Sequence, residues 1–213
     1  MGNLLLLNNT IKIIAISGGT GSGKTFLSDK ILNEFGIKKI NSIKVDSYYK
    51  DLSNLDFNTR KKTNFDHPTA FDFDLLNKHL LNLKSGYSIN SPIYDYTTHT
   101  RTKKIKKIKK TIKIILLEGI FSLYNKKTRK IIDFSVYIDI NEKIRLNRRI
   151  IRDIKYRKRT KENIIEQYNN TVKPMYEKFI EPTKKFADII IKKIDETDNE
   201  YIKLQSVINK YIT

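Results

Sequence analysis

Short runs of apolar residues recur along the chain and predict five buried strands. They cover residues 11–17, 37–45, 112–117, 134–140 and 187–191. Nearly continuous apolar runs of this length are typical of parallel strands that are covered on both faces. Residues 88–109 predict an extended, hairpin-like segment between the second and third of these strands.

Apolar residues at helical spacing separate most of the strands. Helices are predicted over residues 24–35, 72–83, 142–156, 161–179 and 199–211, with Asp72 or Asp74 capping the second and Pro182 ending the fourth. The first helix ends at Gly36 and is expected to bury one face made of Phe26, Leu27, Ile31 and Leu32. Strands that alternate with helices predict an α/β fold with a parallel sheet covered on both faces.

The hairpin contains a strongly basic stretch, residues 103–110 (KKIKKIKK). As one strand of the hairpin it would pack Ile105 inward and leave its lysines in water, where they also oppose edge-to-edge association of sheets. Contact with a phosphate backbone is the alternative. The strand is favoured, because the stretch lacks the interleaved aromatic residues that stack on single-stranded bases.

Length and cysteine content limit the number of domains and the kinds of chemistry that are possible. The 213 residues fit one domain, residues 1–213, with or without an appended lid. The absence of cysteine excludes disulfides, a Cys-ligated zinc site and a thiol nucleophile, and it fits a cytoplasmic protein. No apolar run approaches the ~18 residues of a membrane span, and residues 4–7 are too short for a signal peptide. We therefore expect no membrane partner.

The net charge of +19 has two explanations. One is a polyanionic partner, either a nucleic acid or a phosphorylated ligand. The other is drift in composition, which is favoured because the chain has 34 Ile and 33 Lys but only 3 Ala.

A complete phosphate-loop motif follows the first strand and opens the first helix, the context that such a loop requires. Its backbone N–H groups and the helix N-terminus would cradle phosphates, the lysine would reach the β- and γ-phosphates, and the final hydroxyl would bind Mg²⁺. The motif consists of Gly18, Gly19, Thr20, Gly21, Ser22, Gly23, Lys24 and Thr25.

Two carboxylates follow predicted strands. Glu118 and Asp46 are expected at the carboxyl edge of the sheet, beside the phosphate loop. Glu118 suits a water bound to Mg²⁺. Asp46 suits the orientation of a hydroxyl that accepts a phosphoryl group. An acidic residue in an ordinary turn is the alternative for each.

Arginines are concentrated in one segment, although lysine is used almost everywhere else. Such a cluster indicates a lid that brings guanidinium groups to a transferring phosphoryl group, and a solvated basic helix is the alternative. Six of the nine arginines lie there: Arg145, Arg148, Arg149, Arg152, Arg157 and Arg159.

The three histidines occupy different contexts. His99 lies in residues 92–101 (PIYDYTTHTR), where aromatic rings would sandwich a planar base, although an ordinary hairpin fits the pattern equally well. His79 lies in a predicted helix and is expected to be structural. His67 precedes Pro68 and fits a turn as well as a site.

Together, these segments resemble the uridine–cytidine kinase family. The specific ones are DSYYKD, NFDHPTAFD, PIYDYTTHTR, LLEGI, RRIIRDIKYRKR and FIEPTKKFADIII, in this order between about residues 11 and 191. The resemblance implies a P-loop kinase with a five-stranded parallel sheet, a β-hairpin at about residues 88–110 and a helical arginine lid at about residues 145–165. It implies transfer of the γ-phosphoryl of ATP or GTP, with Mg²⁺, to the 5′-hydroxyl of uridine or cytidine. It also implies a homotetramer.

The resemblance assigns residues by their place in these motifs. Asp46 is the expected catalytic base and lies near Mg²⁺ with Thr25 and Glu118. Lys24, Arg149, Arg152 and Arg159 are expected to assist the transfer. Asp66 is expected to hold the ribose hydroxyls, and Tyr94 and His99 to meet the base edge. The full set of expected nucleoside-binding residues is Tyr49, Phe65, Asp66, Tyr94, Tyr96, His99, Ile120, Arg149, Arg157, Arg159 and Gln167.

Two departures from the family pattern stand out. Lys158 occupies a position where the family usually has Gly, and residues 191–193 (IKK) replace the usual Ile-Pro-Arg-Gly ending.

Three alternative functions remain open. They are another small-metabolite kinase, such as a phosphoribulokinase or pantothenate kinase, a basic ATP-dependent nucleic-acid-binding protein, and a kinase-like protein without activity. Nucleic acid is not the expected partner.

Overall fold

The computed structural model describes residues 10–213, so residues 4–7 lie outside it. Its strands are β1 (Lys12–Gly18), β2 (Ile40–Lys44), β3 (Ile89–Asp95), β4 (Thr100–Ile108), β5 (Ile114–Glu118), β6 (Phe134–Ile138) and β7 (Ile189–Ile191). Five of them form a parallel sheet in the order β2-β5-β1-β6-β7, and β3 and β4 form an antiparallel hairpin. The expected five-stranded parallel sheet and hairpin are both present.

The helices follow the predicted alternation, with additional short ones. They are α1 (Lys24–Phe35), α2 (Phe57–Lys61), α3 (Phe73–Lys84), α4 (Lys126–Arg129), α5 (Glu142–Arg157), α6 (Lys161–Gln167), α7 (Lys173–Met175) and α8 (Asn199–Ile212). Asp72 caps α3, since its side chain accepts a hydrogen bond from the N–H of Leu75.

Alternate residues of the strands point to opposite faces of the sheet and form two cores. On one face, Ile13 and Ile115 pack with residues of α3 and of the hairpin. On the other face, Ile14 and Leu116 pack with residues of α1 and α8. Every residue of β5 is buried, as expected for the central part of a parallel sheet.

Two local expectations were wrong. The second strand begins at Ile40 and not at residue 37, and Ile37 is 72% exposed in the preceding turn. Phe26 is 61% exposed, although Leu27 and Ile31 of the same helix are buried. Near Pro182 the expectation agrees with the structure, because the helical segment Tyr176–Ile180 ends just before it. Pro182 itself lies in the first turn of a separate 3₁₀ helix, Glu181–Phe186, where a missing N–H costs no bond.

The hairpin also differs from expectation in its inward-facing residue. Ile105 is 58% exposed, whereas Ile108 is fully buried opposite Ile89. The strand itself is present, and its lysines at 103, 104 and 107 are exposed as predicted. Among residues 10–213, no helix is both long enough and apolar enough to cross a membrane.

Candidate active site

The order of the strands brings three chain segments to one edge of the sheet. β5 lies between β2 and β1, and Glu118 at its end is in register with Lys44 and Ile16. Because parallel strands end at the same edge, Asp46, Glu118 and the phosphate loop are neighbours there. The structure therefore brings together the two carboxylates and the loop that were predicted separately.

The phosphate loop runs from the end of β1 to the start of α1. Gly18, Gly21 and Gly23 have φ angles of 139°, 74° and 104°, which L side chains rarely adopt. A Cβ at Gly19 would collide with the guanidinium group of Arg145, which is itself buried. The loop is thus closely packed against the first turn of α5.

Lys24 folds back onto its own loop. Its ammonium group donates hydrogen bonds of 2.9 Å to the carbonyl oxygens of Gly18 and Gly19. Burial lowers the pKa of Lys24 to about 8, and the nearby charges of Asp46 and Glu118 oppose this shift.

The side-chain oxygen atoms of Thr25 and Glu118 lie together beside the loop. The Thr25 hydroxyl donates a hydrogen bond of 2.9 Å to Oε2 of Glu118. Oε1 is buried without a hydrogen-bond partner in the described part of the chain, and the ammonium group of Lys44 forms an ion pair with it at 3.9 Å. Burial raises the pKa of Glu118. Hard oxygen ligands with an unsatisfied carboxylate fit Mg²⁺, although residues 10–213 contain no cluster of three or more His, Asp or Glu suited to a metal.

Asp46 lies in a 3₁₀ turn, Val45–Tyr48, that follows β2 directly. Its Oδ2 accepts a hydrogen bond of 3.1 Å from the hydroxyl of Tyr96, which follows β3. The guanidinium of Arg157 lies over the Tyr96 ring, 5.0 Å from the ring centroid. One tyrosine thus connects the end of β2, the hairpin and the lid.

Aromatic rings from three segments meet next to Asp46. Tyr49 lies 5.0 Å from Phe65 and 4.8 Å from Tyr94, measured between ring centroids. His99 stacks on Phe65 at 5.6 Å with an interplanar angle of 14°. Ile120 packs at the edge of the same core. These five residues were all expected at a nucleoside.

Asp66 lies next to this aromatic cluster and faces the lid. Burial raises its pKa, while the charge of Arg149 opposes the shift and that of Asp46 adds to it. Asp66, the acid expected at the ribose, therefore interacts electrostatically with both Arg149 of the lid and Asp46.

The predicted lid, about residues 145–165, covers most of α5, the turn that follows and most of α6. Arg149 donates to the Thr20 hydroxyl at 3.2 Å and to Oε1 of Gln167 at 2.9 Å. Arg159 donates to the same Gln167 oxygen at 2.6 Å. Gln167, expected near ribose, thus links two of the expected catalytic arginines, one of which also touches the phosphate loop.

Sequence reasoning missed the acid at the centre of the lid. Asp153 is fully buried, and its carboxylate lies within 4.0 Å of four guanidinium groups. Its spacing of four residues from both Arg149 and Arg157 was the available signal, because such pairs share a helix face. We call Asp153, Arg149, Arg152, Arg157 and Arg159 the Asp153 cluster.

The structure gives local contacts for the other two histidines, His79 and His67. His79 makes a hydrogen bond of 2.9 Å with the Tyr48 hydroxyl, which supports the structural role expected for it. His67 shapes a turn, since its side chain accepts from the Thr69 N–H.

A phosphate loop on a parallel sheet, flanked by two acids, a cluster of aromatic rings and an arginine-rich helix, defines the class of P-loop kinases. The chain belongs to the Phosphoribulokinase / Uridine kinase family, whose family model matches residues 13–200.

Individual relatives agree with this assignment. The chain is 49% identical to a uridine kinase from Clostridium novyi over 179 residues, which is 84% of this chain and 86% of that one. It is 44% identical to a uridine kinase from Staphylococcus carnosus over 94% of this chain and 98% of the relative. The solved phosphoribulokinase of Rhodobacter spheroides shares the fold, with a TM-score of 0.63 at 15% identity, over 91% of this chain and 75% of that one.

Proposed function

We propose that this protein is a uridine/cytidine kinase, which transfers the γ-phosphoryl of ATP or GTP to the 5′-hydroxyl of uridine or cytidine. Relatives named uridine kinase are 44–49% identical over most of the chain. UMP and CMP are the products, and pyrimidine nucleosides are the acceptors.

The contact between Tyr96 and Asp46 carries the proposal. It joins the aromatic pocket, which suits a planar base, to the carboxylate at the end of β2. A nucleoside whose base lies among Tyr49, Tyr94 and His99 would extend its sugar toward Asp46 and the phosphate loop. A pocket for a sugar phosphate or pantothenate has no need of these stacked rings.

The residues present fit Mg²⁺. Thr25 and Glu118, with Asp46 nearby, would hold it through oxygen atoms and bound water. When bound, Mg²⁺ offsets the negative charge of the donor phosphates.

The chain's own residues supply positioning and charge. Asp46 orients the 5′-hydroxyl and takes up its proton. Lys24 and the loop N–H groups hold the donor phosphates, while Arg149, Arg152 and Arg159 offset charge that develops on the transferred group. Asp66 and Gln167 hold the ribose, and closure of the lid excludes water that would otherwise hydrolyse the donor.

The test is a coupled assay of ADP release with ATP and Mg²⁺. Uridine, cytidine, 2′-deoxyuridine, adenosine, ribulose 5-phosphate and pantothenate are offered in parallel. We expect turnover with uridine and cytidine, and weak turnover with 2′-deoxyuridine, because Asp66 would lose one hydroxyl partner. Turnover only with ribulose 5-phosphate or pantothenate would overturn the proposal.

Assembly and location extend the proposal. The family resemblance implies a homotetramer, and the absence of cysteine fits a cytoplasmic protein. Light scattering after size-exclusion chromatography would measure the mass against the 25.1 kDa chain.

A further inference from the structure

We propose that Asp153 is a positioning residue, whose buried carboxylate holds the lid arginines in a working arrangement before any phosphate binds. The inference rests on the proposed kinase function, since it concerns arginines that would meet the transferred phosphoryl group. Asp153 itself faces guanidinium groups and not the aromatic pocket, so it is not a candidate for contact with substrate.

The orientation of the arginines supports this role. Arg149, Arg152 and Arg157 each approach Asp153 with Nε, at 3.6, 2.7 and 3.6 Å. Contact through Nε leaves the terminal nitrogens of the guanidinium free for other partners. In Arg149 those nitrogens reach the phosphate-loop residue Thr20 and Gln167. In Arg149 the terminal N–H groups therefore point away from the carboxylate, toward the phosphate loop and Gln167.

The charge balance of the Asp153 cluster also supports a positioning role for Asp153. Four guanidinium groups within 4.0 Å of one carboxylate repel one another, and the central negative charge offsets that repulsion. An excess of three positive charges remains for an anionic ligand. Without the carboxylate, the arginines would separate until a bound phosphate drew them together again.

Main-chain contacts allow the carboxylate to be tested alone. The carbonyl oxygen of Asp153 accepts hydrogen bonds from the N–H groups of Lys158 and Arg159, which form the turn between α5 and α6. A side-chain substitution leaves this carbonyl in place. The turn should therefore survive in Asp153→Asn, whose side chain has nearly the same shape.

The experiment compares Asp153→Asn with Asp153→Glu and with a matched control, Asp133→Asn. Asp133 is also a largely buried acid, paired with Lys12 and Lys84, but it precedes β6 at the opposite edge of the sheet. Steady-state kinetics with uridine give kcat and KM for each variant. Calorimetry with inorganic tripolyphosphate gives anion affinity without any turnover, and thermal unfolding reports the folded fraction.

We expect Asp153→Asn to lose at least 30-fold in kcat while its tripolyphosphate affinity rises severalfold, because a negative charge beside the anion site is gone. Asp153→Glu keeps the charge and should stay within about tenfold of the wild-type kcat. Asp133→Asn should unfold at a lower temperature with kcat, KM and anion affinity unchanged. A role in fold stability alone would lower the unfolding temperature and leave the kcat and the anion affinity of the folded protein unchanged.

Several results would overturn the inference. One is a kcat within threefold of wild type in Asp153→Asn, and another is an equal loss in the Asn and Glu variants with unchanged anion affinity. If Asp153→Asn does not fold, a loss of more than 100-fold in the kcat of a folded Asp153→Glu would also overturn the inference. A wild-type protein without nucleoside turnover would refute the proposed function instead, and the tripolyphosphate measurements would still test Asp153.

Discussion

The hydroxyl of Thr25 donates its hydrogen bond to one oxygen of Glu118, and the other oxygen of that buried carboxylate has no hydrogen-bond partner in the described part of the chain. The two residues come from α1 and β5, 93 positions apart. That second oxygen of Glu118 forms a long ion pair of 3.9 Å with the ammonium group of Lys44. A buried carboxylate that lacks part of its hydrogen bonds is still costly for folding, and it is of use where a cation is to be bound.

Glu118→Gln should therefore lose function and gain stability. Burial raises the pKa of Glu118, so the folded state disfavours the charged carboxylate. This charge lowers the free energy of unfolding by its full amount once the pH lies above the raised pKa. At pH 7.5 without Mg²⁺ we expect the variant to be more stable by about 1 kcal/mol, or about 2–4 °C in Tm. The gain should disappear as the pH falls below the ordinary range for carboxyl groups.

The same variant should need at least tenfold more Mg²⁺ for half-maximal activity, because one anionic ligand is lost. Calorimetric scans and Mg²⁺ titrations measure the two effects. Glu196→Gln, at an exposed carboxylate paired with Lys30, is the control and should change neither. An unaltered Mg²⁺ requirement in Glu118→Gln would refute the assignment of Glu118 to the metal.

Asp46→Asn tests the proposed base. The amide can still accept from Tyr96, so the pocket should persist and the Kd for uridine should stay within about threefold. It cannot take up the hydroxyl proton, and kcat should fall by about 10³-fold or more. Single-turnover kinetics and calorimetry separate the two quantities. Tyr96→Phe, which removes only the hydrogen bond, should cost about tenfold, and near-normal turnover in Asp46→Asn would exclude Asp46 as the base.

Much of this architecture could be predicted from the sequence because the signals are local. The apolar run that becomes β5 is followed directly by Glu118, and the glycines of the phosphate loop stand between a strand and a helix. Once parallel strands are assumed, their carboxyl ends must share an edge, so the grouping of Asp46 and Glu118 follows from topology alone.

The errors arose where the local pattern is ambiguous. Ile105 and Ile108 are three positions apart, so a strand turns them to opposite faces, and only pairing with β3 decides which one is buried. Asp153 was missed for a related reason, since an acid on an arginine-rich helix is expected to form exposed ion pairs. One of the four guanidinium groups around it comes from Arg159, which returns from beyond the turn after α5.

Lys24 should make nucleotide binding dependent on pH. With a pKa of about 8, roughly half of the unliganded protein carries a neutral Lys24 at pH 8. Bound phosphates favour the charged form and raise that pKa, so binding of Mg²⁺–ADP should take up roughly half a proton at pH 8 and almost none at pH 6.5. Calorimetry in buffers with different ionisation enthalpies measures the uptake.

The matched control for this uptake is Lys24→Arg. A guanidinium stays charged throughout this pH range, so the variant should bind the nucleotide without the extra proton at pH 8. Equal uptake in the wild type and in Lys24→Arg would place the titrating group elsewhere.

Like His99, Lys158 has a positive φ angle although it is not a glycine. It ends α5 with φ 52° and ψ 38°, in the left-handed region that glycine adopts without cost, and its N–H donates to the carbonyl of Asp153. Lys158→Gly should therefore raise the free energy of unfolding by up to about 1 kcal/mol, because relief of the strain is only partly offset by the greater freedom of the unfolded chain.

The control is Lys155→Gly, in the interior of the same helix, which should lower the free energy of unfolding by about 1 kcal/mol. Urea titrations of both variants measure these differences, and destabilisation by Lys158→Gly equal to that by Lys155→Gly would show that the left-handed turn carries no strain. If the strain slows opening or closing of the lid, Lys158→Gly should also raise kcat, whereas Lys155→Gly should leave it unchanged.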